Sequence, residues 1–298
     1  MSREFKNFQN NLHHTALGAK LGKKLFLNPS SISPHDLANA LRALGLPVFR
    51  VKRNPFSRLK YLSSRIDGYI AISGPVRQEL IKAGIVAERI DVVPSVVEAQ
   101  PARDGDRESV RQEFNVGSGL LVGIVANYAV FKGQAVMARA IPLILKRHPG
   151  AVFLFAGRGV EEMAALVQEL GIERSVRLAG FRTDVPRLLA GFDLFVMPSL
   201  EEAAGTALRE AMLSGLPCVG SRTGGIPESI IDGKTGILAE PGNPADLARA
   251  VTALLEGGAE RQRLAAAGQA LIRERFTLPH AADLMESFYR RMLASKAS

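Results

Sequence analysis

The chain has 298 residues, of which 47% are apolar and 22% charged, with a net charge of +9. That length is enough for two ordinary cores, and the composition excludes a disordered or fibrous chain. One cysteine excludes a disulfide framework and a cysteine-rich metal site, and points to a cytoplasmic setting.

Met1–Gln9 is too polar for a secretory leader, and no apolar run reaches the roughly 20 residues of a spanning helix. The charge is unevenly spread. Residues 1–60 hold eleven Lys or Arg against Glu4 and Asp36, which is the whole excess of +9. Such a segment suits an anionic partner: a membrane surface, a phosphorylated acceptor or nucleic acid. No aromatic RNA-binding motif or zinc-finger spacing accompanies it, so nucleic acid is not expected.

In chain order, Phe5, Phe8, Leu12, Ala16 and Ala19 recur every three or four residues. They read as a core-facing helix or as an interfacial helix whose lysines meet anionic lipid. His13 and His14 point about 100° apart on such a helix and do not form a metal pair. Strands are expected at Leu25–Asn28, Pro47–Val51, Tyr69–Ile72 and Asp91–Val93, and helices from Ser33 to Gly45 and over Val76–Ala83. The polar stretch from Ala99 to Glu113 reads as an interdomain linker. Its Asp104-Gly105-Asp106 does not end an apolar strand, so a metal site is not read there.

The second half alternates regularly. Strands are expected at Leu120–Ala126, Val152–Ala156, Val176–Leu178 and Leu194–Met197. Helices are expected at Gln134–Arg147, Glu161–Leu170, Val185–Ala190, Pro244–Leu255, Glu260–Arg273 and Phe276–Ala294. This order implies a doubly wound parallel sheet, whose ligand lies beyond the carboxyl ends of its strands. Asn127, Lys132, Gly157, Gly180 to Arg182, Glu202 and Gly205 all fall at such ends.

The most informative stretch runs from Pro198 to Glu228. Pro198-Ser199 ends a buried strand, and Glu201, Glu202 and Gly205 lie in the loop that follows. Thr206–Ser214 reads as a helix with Ala207, Leu208, Ala211 and Met212 on its core stripe and Thr206 and Glu210 on the other side. Gly215-Leu216-Pro217 stops that helix, and Cys218-Val219 opens another buried strand. A helix that starts just after a glycine offers free N–H groups to phosphate. Glu210, one turn in, is an acceptor suited to two adjacent sugar hydroxyls, and Glu202 suits a second polyol.

This stretch, with Lys132-Gly133, Gly157 and Gly180-Phe181, resembles the donor site of retaining GT-B-fold glycosyltransferases, the nucleotide-sugar family with a Glu-x7-Glu motif. The resemblance covers roughly residues 60 to 290 and is strongest from Leu120 onward. It implies an α/β fold of two Rossmann-like parallel-sheet domains. Residues 1–98 would form the acceptor-side domain, 99–118 the linker, 119–275 the donor domain, and 276–298 a helix crossing back to the first. It also implies that the first domain opens on a strand and a Gly-rich loop. Residues 1–98 contain no Gly-Gly pair, so an incomplete first domain is expected.

By the same resemblance Glu210 holds the nucleotide ribose, Glu202 lies near the donor sugar, and Lys132 faces the diphosphate. Gly133, Ala203, Ala204, Gly205 and Thr206 belong to the donor loops, and Gly180, Phe181 and Arg182 hold the base by backbone contacts. Phe181 reads equally as a core aromatic. Two departures stand out. Asn127 stands where the family pairs an arginine with the lysine, a role Arg158 is placed to fill, and the usual Glu-Gly-Phe-Gly is Glu202-Ala203-Ala204-Gly205.

The expected activity is transfer from a nucleoside-diphosphate sugar to a glycan or lipid-linked acceptor of the cell envelope. It needs no cofactor or metal, and the site is cytoplasmic or peripheral at the inner membrane face. The alternative is a non-catalytic nucleotide-sugar-binding remnant acting as a partner subunit. A phosphorylase would need a lysine-bound cofactor motif, and an epimerase further acid–base residues; neither is found.

Overall fold

The computed structural model describes residues 49–52, 66–98, 100 and 102–297. The expected helices at 5–19 and 33–45, the strand at 25–28 and most of the basic segment lie outside the described residues. So does most of the region on which an incomplete first domain was expected. The described residues all fall within one compact unit.

Among the described residues, nine strands make two sheets. The smaller is β1 (Phe49–Lys52), β2 (Gly68–Ala71) and β3 (Ile90–Val92), all parallel in the order 1-2-3. The larger contains β4 (Leu121–Val125), β5 (Val152–Ala156), β6 (Val176–Leu178), β7 (Leu194–Met197), β8 (Cys218–Ser221) and β9 (Ile237–Ala239). Its order is 6-5-4-7-8-9, again all parallel. Strands such as Val-Phe-Leu-Phe-Ala are apolar throughout because helices cover both faces of a parallel sheet.

On one face, α3 (Gln134–Leu145) and α7 (Pro244–Glu256) pack Met137, Ile141, Leu247 and Val251 onto Val122, Phe153 and Val196. The other face is covered by α2 (Asp106–Glu113), α5 (Val185–Gly191), α6 (Thr206–Leu213) and α8 (Gly258–Arg275). These bring Val110, Leu188, Leu208 and Ile272 onto Leu121, Leu154 and Phe195. Between β5 and β6, a 3₁₀ turn over Val160–Met163 leads into the short α4 (Ala164–Glu169), where one longer helix was expected.

The stretch read as linker is half helical. In α2 the fully buried Val110 packs so close to α5 that a Cβ on Gly191 would lie 2.3 Å from Val110 Cγ1. Arg107 and Arg111 add ion pairs to Asp193 at 2.6 and 3.1 Å. One buried valine among charged neighbours gives no helical stripe to read, which is why periodicity missed it.

The small sheet completes its core with residues from elsewhere. On one face α1 (Gly74–Lys82) packs Val76 and Leu80 with Tyr69 and Ile72, and Ala204 joins them. On the other, Phe288 and Met292 of α9 (Leu278–Ala297) meet Ile70 and Val93. No helix among the described residues is long and apolar enough to cross a membrane.

Candidate functional site

β4 pairs with β5 on one side and β7 on the other, so the strand order reverses there and a crevice opens beyond the strands' carboxyl ends. After β4, a 3₁₀ turn over Val130–Lys132 leads into Gly133, which has φ 68°. A Cβ at Gly133 would lie 1.9 Å from the carbonyl oxygen of Pro198, so only glycine lets the two loops touch. The N–H groups of Leu200 and Glu201 donate to Phe131 O at 2.8 and 3.2 Å, joining the same loops.

This closeness brings Lys132 and Glu202 together. Lys132 Nζ lies 2.6 Å from Glu202 Oε2, and the buried Ser199 hydroxyl donates to the same oxygen at 3.3 Å. The pair is mostly shielded, with side chains 24% and 10% exposed. Behind it the Gly225 N–H donates to Glu202 O at 3.0 Å. Gly224, with φ 50°, packs so tightly that an added Cβ would lie 1.7 Å from that carbonyl oxygen.

Gly205, with φ 70°, ends the loop and opens α6. No side chain caps the helix there, so its first N–H groups, beginning at Thr206, are available to an anion. Ala203 and Ala204 face the small-sheet core. One turn into α6, Glu210 is half-buried, and burial pushes its carboxyl above the ordinary range. Among the described residues no group hydrogen-bonds or pairs with that carboxylate. A partly desolvated carboxylate without a described protein partner is a candidate ligand contact.

The third wall follows β5. Gly157 (φ 151°) passes so near β4 that a Cβ would be 2.1 Å from Ala126 O. Asn127 Oδ1 accepts from the Arg158 N–H at 3.0 Å, so this oxygen fixes the neighbouring loop. The Gly157 N–H donates to Gly180 O at 2.8 Å. The Arg158 guanidinium lies 3.9 Å over the Phe181 ring. Phe181 is 53% exposed, which removes the core-aromatic alternative. Arg182 turns its guanidinium to Glu113 and Asp184, at 2.6 and 2.7 Å. Hydrogen bonds from Arg182 hold the Asp184 carboxyl well below the usual carboxylate range.

Sequence reasoning missed two buried polar residues. Gln134 donates from Nε2 to Asn127 O at 3.0 Å and so holds the end of β4. Arg209 is fully buried between the large and small sheets. Its place one turn before the core residue Leu213 was the available signal, and arginine ordinarily reads as solvated. Beside these groups, a cleft of about 430 Å³ separates Pro75, Gln78 and Lys82 of α1 from Glu201, Glu202 and Thr223. Among the described residues no three His, Cys, Asp or Glu side chains assemble into a metal cluster.

Residues 119–257 match the family described as Glycosyl transferases group 1. The D-inositol 3-phosphate glycosyltransferase of Nocardia farcinica is 30% identical over 247 residues, covering 77% of this chain and 54% of that protein. The 2-deoxystreptamine glucosyltransferase of Streptomyces kanamyceticus is 29% identical, covering 72% and 57%. The chain thus spans about half the length of the curated relatives it matches. Among solved structures, Anabaena Alr3699/HepE in complex with UDP and glucose shares the fold at a TM-score of 0.74. It is 23% identical, covering 88% of this chain and 75% of that one. The two parallel sheets, the crevice between their loops and the matched stretch agree: residues 119–257 are a group 1 glycosyl transferase domain, and the described residues have the GT-B fold.

Proposed function

We propose that the protein transfers a sugar, with retention of anomeric configuration and without an essential metal, from a nucleoside-diphosphate sugar to a glycan or lipid-linked acceptor. The observation that carries this reading is Glu210: a half-buried carboxylate with no described partner, one turn inside an uncapped helix whose first glycine, Gly205, lies beside the Glu202 side chain. Ribose hydroxyls would donate to Glu210, and the diphosphate would meet the N-terminus of α6. Gly133, Gly205 and Thr206 then bring backbone close to the phosphates, and Gly180, Phe181 and Arg182 border the base beside Arg158. Ala203 and Ala204 shape the sugar end of the pocket.

Lys132 is held by Glu202 before substrate arrives. A diphosphate recruits the ammonium by its larger charge, and the freed Glu202 accepts from sugar hydroxyls. In the transfer step the bond from the anomeric carbon to the diphosphate oxygen breaks, and a bond to the acceptor oxygen forms on the same face. The acceptor proton passes to the departing phosphate. Lys132 and the α6 N-terminus stabilise the charge that grows there, the term that usually dominates such catalysis. UDP, present in the complex with Alr3699/HepE, is the first nucleotide to test.

A cytoplasmic location, peripheral at the inner membrane face, fits the basic segment of residues 1–60, where each Lys or Arg near an anionic bilayer contributes about 1 kcal/mol. Co-sedimentation with anionic but not neutral vesicles, weakening with salt, checks that part. For the activity, the full chain is incubated with UDP-, GDP- and ADP-glucose and the released nucleoside diphosphate is measured. Release from at least one, unaffected by chelator and lost in Lys132→Ala, is expected. Nucleotide binding without release would leave the chain a non-catalytic partner subunit.

A further inference from the structure

Arg209 is the one charged side chain among the described residues that is buried, at 0% exposure. Its guanidinium lies 3.9 Å over the Phe276 ring, Nε donates to Ser229 Oγ at 2.9 Å, and Nη1 donates to Ser95 O at 2.8 Å. These contacts join α6 to the segment after β8, to the end of β3 and to the residue that links α8 and α9. The remaining nitrogen, Nη2, makes no hydrogen bond and lies 3.6 Å from Glu228 Oε2. The other oxygen of Glu228 accepts the Gly74 N–H, at the start of α1, at 2.6 Å. Burial lowers the arginine's pKa to about 10, so it remains a cation at neutral pH.

A buried ion pair is a poor way to gain stability, because desolvating the charges offsets most of their attraction. Its geometry is what separates it from apolar packing. Glu228 closes the 3₁₀ turn Ile226–Glu228, directly after Gly224 and Gly225, which pack on the backbone of Glu202 and Ala203. One continuous set of contacts therefore runs from the N-terminus of α1 through Glu228 to the loop that carries Glu202. Those are the two walls of the cleft beside Pro75 and Thr223. Arg209, anchored at three points, holds the carboxylate in the middle.

We propose that Arg209 and Glu228 are positioning residues that fix the gap between α1 and the Glu202 loop, and with it the placing of an acceptor against the donor sugar. The identity of what enters the cleft rests on the glycosyl-transfer reading; the tie itself does not. Neither residue is among the groups assigned to the nucleotide, so loosening them is expected to slow turnover and leave donor affinity alone.

Amide exchange of the full chain, without nucleotide, reads the tie directly. Glu228→Ala is expected to raise exchange at residues 74–78 and 202–205 about tenfold while β4 and β5 keep their protection. Glu228→Gln keeps an acceptor for Gly74 but removes the charge facing Arg209, and should produce a smaller change at the same places. Arg209→Lys should match it, because an ammonium cannot reach three anchors at once. In release of nucleoside diphosphate from the donor, Glu228→Gln should lower kcat about tenfold with donor KM within about twofold, because the Glu202 loop beside the donor sugar is loosened.

Unchanged exchange at 74–78 and 202–205 in Glu228→Ala would overturn the proposal. A wild-type response of Glu228→Gln beside a full response of Glu228→Ala would remove Arg209 from it. A raised donor KM at constant kcat would make Glu228 a donor contact instead. Turnover by the wild-type chain without an exchange response sinks the tie alone. An exchange response in a chain that turns over no donor keeps the tie and sinks the transfer reading.

Discussion

The two sides of the cleft are built differently. The large sheet has six strands, helices on both faces and loops fixed to one another by glycine contacts of its own, as at Gly133 and Pro198. The small sheet has three described strands of three or four residues, and its core is completed by visitors: Ala204 from the Glu202 loop and Phe288 and Met292 from α9. One side is a self-sufficient scaffold. Among the described residues the other is packed by a loop and a helix from outside it, so its stability and its alignment are coupled.

Phe288→Ala should break that dependence most strongly. The fully buried ring fills the space over Gly68, where a Cβ would be 2.7 Å from Phe288 Cζ. Its removal should cost about 3–5 kcal/mol. In amide exchange the loss should appear in β2 and β3, with nucleotide affinity nearly unchanged; a uniform loss across both sheets would mean the halves fold as one. Gly133→Ala tests the other side. A methyl 1.9 Å from Pro198 O, on a backbone at φ 68°, should destabilise by about 2–3 kcal/mol and remove nucleotide binding while β2 and β3 keep their protection.

Within the scaffold the two glutamates should separate. Glu210→Ala is expected to lose about 1.5–3 kcal/mol of nucleotide affinity in calorimetry. The sign of its pH dependence follows from burial. A carboxyl held above its ordinary value of 4.5 takes up its proton earlier as the solution is acidified. It then stops accepting from both ribose hydroxyls, so wild-type affinity should begin to fall above pH 4.5, and Glu210→Gln should lack that fall. Glu202→Ala should change free-nucleotide affinity least, by under about 1 kcal/mol, because its pair with Lys132 must open for the phosphate in any case. The reverse order would exchange the two assignments.

The same contrast governs how much the sequence discloses. Strands buried on both faces are continuous apolar runs, so Val152–Ala156, Val176–Leu178 and Leu194–Met197 are legible to the residue. β9 was not, because three residues between Gly236 and Glu240 are too short to stand out from a turn. Lys132 and Glu202 are each legible as chemistry, but their contact joins positions 70 residues apart, and only the glycine-lined approach of two loops creates it. Arg209 is hidden for a different reason. Its burial depends on Phe276, Ser95 and Ser229 meeting around it, and nothing local to α6 announces them. Phe181 shows the converse: an aromatic that could fill a core stays at the surface under Arg158.

Titration calorimetry of UDP, GDP and ADP into the full chain and into Glu210→Ala tests the central claim most directly. Binding of at least one nucleotide by the wild-type chain, weakened in Glu210→Ala, is the result expected if β4, β7 and α6 form a donor site. No heat from any of the three at millimolar concentration, or equal affinity in the two proteins, would contradict it.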